Sequence, residues 1–83
     1  SKIVCLKCVK PKYPKQALIK GITGVVSIKV VINKDGSVRN AIVESSSGHA
    51  LLDDVALDAA RKSTFYPIPK ESSIRIEYDL RIK

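Results

Sequence analysis

Apolar and charged residues alternate most regularly at the C-terminal end of the chain. The apolar set is Ile74, Ile76, Tyr78, Leu80 and Ile82, and the charged set is Arg75, Glu77, Asp79, Arg81 and Lys83. A period of two residues places the two sets on opposite faces of a strand. The pattern therefore predicts a strand over Ser73–Lys83 with one apolar face.

A second strand is predicted over Gly24–Asn33, a β-branched run that is too short for a helix of this composition. Its apolar face consists of Val26, Ile28, Val30 and Ile32. Val25 and Val31 make the other face partly apolar, which is typical of a central strand.

A return strand over Ser37–Ser45 completes a predicted hairpin, because Lys34-Asp35-Gly36 supplies turn residues. Within this strand the apolar positions change parity, from Val38 and Ile42 to Ala41 and Val43. A change of parity predicts a β-bulge or a twist, here near Ala41.

Two helices are predicted. Apolar residues recur at helical spacing over Ala50–Lys62, with acidic residues in its first turns and basic residues in its last. A shorter helix follows Tyr13, with Pro14 at its first position and Gly21 at its end. Residues 3–9 have the composition of a short extra strand.

The element order (β)-α-β-β-α-β predicts an α+β fold, in which two helices pack on one face of a three-stranded antiparallel sheet. A right-handed crossover favours Gly24–Asn33 as the middle strand and leaves Ser73–Lys83 at an edge. Exposed strand edges aggregate unless they are protected, and they also accept an added strand from a peptide.

The chain of 83 residues and 9.1 kDa has the length of one small domain, residues 1–83, with a lead or short strand over residues 1–9. Its apolar runs are too short to cross a bilayer, so a soluble piece is expected. Since the sequence contains no methionine, we expect it to be a fragment of a longer protein.

Positive charge is concentrated in the first part of the chain. Residues 1–34 contain eight lysines and no acidic residue, whereas residues 35–83 carry a net charge of −1. Such asymmetry suits an anionic partner, but a solvated lysine-rich surface is the simpler explanation, because the basic residues are mostly lysines at irregular intervals. Only four arginines and four aromatic residues are present, so nucleic acid is not an expected partner.

The residues give no indication of an enzyme. The single histidine, His49, stands beside Ser45, Ser46 and Ser47 at the start of the second predicted helix, where capping or turn roles are the simpler interpretation. No glycine pattern that cradles phosphate occurs. We therefore expect no catalytic residues, no cofactor and no metal.

Cys5 and Cys8 form the one motif with potential reactivity. A zinc site would need two further ligands, and a thioredoxin-type motif would stand at a helix start. A local disulfide or two inert thiols remain as alternatives, and export would favour the disulfide.

The series of short motifs resembles the C-terminal domain of TonB energy-transducing proteins from about Lys10 to the end of the chain. The residues that carry the resemblance are Pro11-Lys-Tyr13-Pro14, Ala17, Gly21-Ile-Thr-Gly24-Val-Val, Asp35-Gly36-Ser-Val38, Ser46-Ser47-Gly48, Leu52-Asp53, Ala56-Leu57, Phe65 and Pro67. The chain departs from the common pattern at Lys10, where well-studied members have Gln, and at Ser63, where many members have Trp.

The resemblance implies two helices on a three-stranded antiparallel sheet, in agreement with the pattern above. It also implies a periplasmic coupling domain whose parent is anchored in the inner membrane and works with an ExbB/ExbD-type motor. Such a domain binds the TonB box of outer-membrane transporters and couples the proton motive force to uptake of iron chelates or similar cargo.

In this family the TonB box pairs with the last strand, so the resemblance implies partner-binding residues there and in the approach to the first helix. They are Ile74, Arg75, Ile76, Glu77, Tyr78, Asp79, Leu80, Arg81 and Ile82, with Pro11, Tyr13 and Pro14. A monomer or an edge-strand dimer is expected.

Two alternatives remain open. The same fold could serve another envelope protein and bind cell-wall polymer or a periplasmic partner. A small basic domain could also bind nucleic acid, in which case its binding would fall steeply with salt.

Overall fold

Strand β2 occupies the middle of the main sheet, as the sequence predicts. The computed structural model describes residues 2–82, and its main sheet has the antiparallel order β3-β2-β5. The elements are β1 (Cys5–Lys7), α1 (Lys15–Lys20), β2 (Gly24–Ile32), β3 (Val38–Ser45), α2 (Ala50–Lys62), β4 (Thr64–Phe65) and β5 (Ser72–Leu80). The predicted fold class, a three-stranded antiparallel sheet with two helices, is confirmed.

The inward face of β2 forms the centre of the core. Val26, Ile28, Val30 and Ile32 have 0% solvent exposure, and α2 covers them with Leu52 and its buried alanines. Complete burial of an aliphatic side chain contributes about 1.5–3 kcal/mol. Helix α1 is short and contributes one fully buried residue, Ala17.

The last strand is shorter than predicted. Strand β5 ends at Leu80, which pairs with Gly24, the first residue of β2. Arg81 and Ile82 extend past the start of β2, so the ladder provides no partner for them. The prediction that the strand includes these two residues is therefore wrong, and Lys83 lies outside the described residues.

The parity change in β3 has a different position from the predicted one. The pairing with β2 passes from Val38 to Asn40 and again from Val43 to Ser45, which leaves Arg39 and Glu44 as the extra residues of two bulges. Because the first bulge restores the parity, Val38, Ala41 and Val43 all face the core. The bulge that was predicted near Ala41 is therefore found at Arg39, two residues earlier in the chain.

The start of helix α1 also differs by one residue from the prediction. Pro14 precedes the helix as its N-cap, with φ −65° and ψ 136°, and its carbonyl oxygen accepts the Leu18 N–H at 3.0 Å. Gly21 ends the helix with φ 66°, a left-handed conformation that glycine adopts without steric cost.

A second, two-stranded sheet was not predicted from the sequence. Strand β1 pairs antiparallel with β4, where Cys5 faces Phe65, and Cys5 is joined to Cys8 by a disulfide. Two further hydrogen bonds hold this lead: Tyr66 N–H donates to the Val4 carbonyl at 3.0 Å, and Val9 N–H donates to Ser63 Oγ at 3.1 Å. The lead is thereby fastened to the segment that follows α2.

The turn between β2 and β3 lies directly against β4. Phe65 N–H donates to the Gly36 carbonyl at 2.8 Å, and Gly36 has φ 92°. A Cβ at this position would lie 1.8 Å from the Phe65 carbonyl oxygen. Glycine is therefore required both by the backbone conformation and by the space available.

The loop before α2 is held by Asp53. Its carboxylate accepts hydrogen bonds from the Ser46 hydroxyl, from Ser47 N–H at 2.9 Å and from Ser47 Oγ at 2.7 Å. Partial burial raises the pKa of Asp53, but the donated hydrogen bonds outweigh it, so the pKa lies below its ordinary value. The serines thus have the structural role that the sequence suggested.

Substitution of Gly36 by alanine tests the contact between the turn and β4. We expect Gly36→Ala to lower the free energy of unfolding by about 3–5 kcal/mol, because the new Cβ must displace β4 as well as strain the backbone. Gly48→Ala is the matched control, since Gly48 has φ 91° and open space around it. It should cost about 1–2 kcal/mol. Equal losses in urea denaturation would contradict the packing argument.

Removal of the disulfide tests how the lead is held. In the Cys5→Ser/Cys8→Ser variant, we expect faster hydrogen exchange at the amides of Tyr66 and Val9, because a four-residue ring constrains the chain by about 2 kcal/mol. The amides of β2 serve as the internal control and should keep their protection. Unchanged exchange at Tyr66 and Val9 would mean that strand pairing alone holds the lead.

The lowered pKa of Asp53 predicts a pH-dependent contribution to stability. A carboxyl whose pKa is depressed by folding stabilises the fold above its unfolded pKa, and this contribution is lost as the pH falls through the folded pKa. Asp53→Asn should therefore reduce stability at pH 7, and the difference from wild type should shrink below about pH 4. Asp54→Asn, on the exposed side of the same turn, is the control. A constant difference down to pH 2 would contradict the role of the charge.

Candidate functional site

Strand β5 presents the more regular of the two edges of the main sheet. Its nine residues pair with β2 without a register shift, whereas the opposite edge strand, β3, carries two bulges. Within residues 2–82 no strand pairs with the outer side of β5. Alternate backbone N–H and C=O groups of an edge strand point outward, so this edge can accept a further strand over roughly 30 Å.

The charged face of β5 is engaged with neighbouring residues. Arg75 donates to Ser27 Oγ at 3.0 Å and lies 3.6 Å from the Glu44 carboxylate. Arg81 and Asp79 form an ion pair at 2.7 Å. Because the charged side chains of both ion pairs are exposed, the pairs contribute little to stability, but they keep the charges of this face balanced.

The other face of β5 is only half covered. Ile74, Ile76 and Tyr78 are partly buried, because α2 packs mainly over β2 and β3 and reaches β5 with few residues. The predicted partner-binding site includes this stretch. Its outward-facing backbone N–H and C=O groups are the part that a partner can reach. Ile82, by contrast, is 42% exposed and lies beyond the strand.

An apolar cleft of about 290 Å³ lies between β5 and the lead. Residues 8–11 form one wall, and Ser63, Phe65, Ile76 and Tyr78 form the rest. Burial raises the pKa of the Tyr78 phenol, and the neighbouring Ser63 side chain offsets part of that shift. The phenol is therefore neutral at physiological pH.

Ser63 lines the cleft with a small side chain. It is 3% exposed, its hydroxyl donates to the Ala59 carbonyl at 2.9 Å, and it accepts the Val9 amide. A small residue at the end of α2 thus bonds both the helix and the lead. The sequence indicated a different helix end at this position, but it did not indicate the cleft, whose walls come from three separated segments.

The three predicted residues before α1 have different positions relative to β5. Pro11 lines the cleft together with Ile76 and Tyr78. Tyr13 packs against the core and its hydroxyl donates to the Ile22 carbonyl, so its phenol is engaged within the fold. Pro14 caps α1. The structure therefore brings Pro11 to the candidate site and gives the other two structural roles.

The eight lysines of residues 1–34 are all exposed. None of the ion pairs among residues 2–82 involves one of them. Lys10 lies on the wall of the cleft, so the positive charge of this region reaches the candidate site.

The described residues contain no group of three or more potential metal ligands. None of the helices in residues 2–82 has the length and apolar character that a membrane span requires. His49 is exposed at the start of α2, where its carbonyl oxygen accepts the Leu52 and Asp53 amides, each at 3.1 Å.

Comparison with known proteins identifies relatives for most of the chain. The family model described as Gram-negative bacterial TonB protein C-terminal matches residues 9–83. A Helicobacter pylori Protein TonB is 38% identical over 76 residues, which cover 87% of this chain and 27% of the relative. A Xanthomonas campestris Protein TonB is 46% identical over 55 residues, which cover 66% of this chain and 25% of the relative. The chain thus spans about a quarter of the length of these curated relatives.

Solved structures agree with this assignment. The solution NMR structure of the Pseudomonas aeruginosa TonB CTD superposes with a TM-score of 0.83 at 25% identity, covering 100% of this chain and 89% of that one. The NMR structure of the Helicobacter pylori TonB-CTD gives a TM-score of 0.72 at 33% identity, covering 88% of this chain and 70% of that one. The resemblance found in the sequence is confirmed, and the chain belongs to the family of Gram-negative bacterial TonB protein C-terminal domains.

Proposed function

We propose that this domain binds the TonB box of outer-membrane transporters as an added strand on β5. The domain then acts in the periplasm as the terminal part of an energy transducer anchored in the inner membrane and driven by an ExbB/ExbD-type motor. The single observation that carries the proposal is the regular, unpaired outer edge of β5 in a chain of the TonB family.

Strand addition suits a domain that transmits force. The backbone hydrogen bonds of an added strand give affinity with little dependence on side chains. When the strand is pulled along its own direction, its hydrogen bonds bear the load together. No covalent chemistry is needed for uptake of iron chelates or similar cargo under this proposal.

The backbone of Ile74–Leu80 forms the proposed contact, and Pro11 stands beside it on the cleft wall. Arg81 and Ile82 follow the strand and could contact a longer partner segment only outside the ladder. Tyr13 and Pro14 act indirectly, since they fix the approach of the lead to α1. The exposed lysines favour partners with acidic surfaces and increase the rate of encounter.

Peptides with methylated backbone nitrogens test strand addition without altering the domain. A peptide from a transporter N-terminus should shift the amide NMR signals of Ser72–Leu80. In an added strand, alternate N–H groups face β5, so N-methylation of one alternate set should weaken binding at least about tenfold. N-methylation of the other set should have a much smaller effect.

A peptide of scrambled sequence serves as the control for nonspecific binding. Equal affinity of both N-methylated peptides would contradict strand addition even if β5 signals shift. Shifts confined to the exposed lysines, with binding that falls steeply with salt, would instead favour a nonspecific anionic partner.

A further inference from the structure

The outer face of the β1–β4 sheet carries large apolar side chains that the fold leaves exposed. Cys5 pairs with Phe65, whose side chain is buried in the core. Because neighbouring residues of a strand point to opposite faces, Val4, Leu6 and Tyr66 belong to the outer face. Tyr66 N–H donates to the Val4 carbonyl, so these two residues stand side by side. The three apolar side chains are 48% to 56% exposed, which leaves a substantial apolar surface in contact with solvent.

Basic residues surround this outer face. Lys2 and Lys7 flank its residues in the lead, and Arg61 lies near the end of α2, shortly before β4. The Lys34 carbonyl accepts the Ile68 amide at 2.9 Å, which places the turn between β2 and β3 beside the segment that follows β4. The four basic residues are exposed, and none of them belongs to an ion pair within residues 2–82.

The acidic residues at this end of the molecule do not balance that charge. Asp58 pairs with Lys62 at 2.9 Å, and Glu71 pairs with Arg39. The Asp35 carboxylate is held within its own turn by two hydrogen bonds, at 2.9 and 2.6 Å. The cations outside ion pairs therefore outnumber the acids, and the surface around the apolar residues is positive.

Aliphatic side chains, a tyrosine and lysines on one open face form a combination that suits the surface of a membrane. A tyrosine has an apolar ring and a polar hydroxyl, so it is stabilised at the level of the lipid headgroups. A lysine stem covers apolar surface while its ammonium stays in water. Anionic headgroups attract each lysine or arginine that lies close to them. A charged bilayer thus complements the apolar residues and the cations of this face together.

We propose that the outer face of the β1–β4 sheet binds the surface of a membrane that contains anionic phospholipids. Val4, Leu6 and Tyr66 enter the headgroup layer, and the surrounding basic residues contact lipid phosphates. The Cys5–Cys8 disulfide and the pairing with β4 hold the face in place. Because β5 contributes no residue to this face, the proposal does not depend on strand addition.

Sedimentation of the whole domain with lipid vesicles tests the proposal. At about 0.15 M salt, we expect binding to vesicles of phosphatidylglycerol and phosphatidylcholine in equal parts, and at least about tenfold weaker binding to phosphatidylcholine alone. In nanodiscs of the mixed composition with a nitroxide on the headgroups, the amide NMR signals of residues 4–7 and 64–66 should broaden most. Those of α1 should broaden least, since α1 lies at the other end of β2, roughly 27 Å away.

A pair of double variants tests the apolar part of the face. Leu6→Ser/Tyr66→Ser should weaken binding to the mixed vesicles about tenfold, because two side chains no longer enter the headgroup layer. Leu18→Ser/Ile19→Ser is the matched control, since it removes similarly exposed apolar residues from α1. It should leave binding unchanged.

A pair of single variants tests the charge without altering the apolar residues, so it remains informative even where the double variant loosens the β1–β4 pairing. Lys7→Gln should weaken binding about fivefold, the effect of one cation close to an anionic surface. Lys20→Gln, at the end of α1, is the control. Charges farther from the membrane than a Debye length of about 8 Å contribute little, so its effect should be small.

Four results would overturn the proposal. They are no sedimentation with the mixed vesicles, equal losses for each variant and its control, equally tight binding of polyglutamate at the same residues, and concentration-dependent broadening of residues 4–7 and 64–66 without lipid. The second would indicate attraction by net charge alone, the third an acidic polymer as the partner, and the fourth a second copy of this chain. None of these results affects the test of peptide binding to β5.

Discussion

The pairing of β2 on both of its sides is the constraint on which the rest of the structure depends. Four alternate residues of this strand are fully buried beneath α2, so its register cannot slip by one residue without exposing them all. Strands β3 and β5 take their registers from it. With three strands, the sheet necessarily has two edges, and the bulges of β3 leave β5 as the regular one.

The covering of β5 by α2 is incomplete, and the lead partly compensates for it. The disulfide, the pairing of β1 with β4 and the contacts of Ser63 hold residues 8–11 beside the half-buried face of β5. The contact of the hairpin turn with Phe65 fixes β4 from the other direction. The edge that is proposed to bind a partner is therefore supported by segments distant in sequence.

Local patterns were sufficient to predict most of the fold. The β2 and α2 segments were predicted almost to the residue, because their apolar residues recur with a clear period and turn residues bound them. The end of β5 could not be read in this way, since alternation continues to Lys83 while the ladder ends where β2 begins. Strand β4 could not be predicted from a local pattern either, because it has only two residues and exists only through its pairing with β1.

The sequence by itself determined the element order, the buried face of each main element, the central position of β2 and the family of the domain. These properties follow from short-range periodicity and from motifs in a fixed order. Only the tertiary structure decided which residues near β5 form a cleft, that Pro11 rather than Tyr13 lines it, and that Ser63 joins helix to lead. The reason is that each of these depends on contacts between segments distant in sequence, up to 70 residues apart from Cys8 to Tyr78, and no local pattern encodes such contacts.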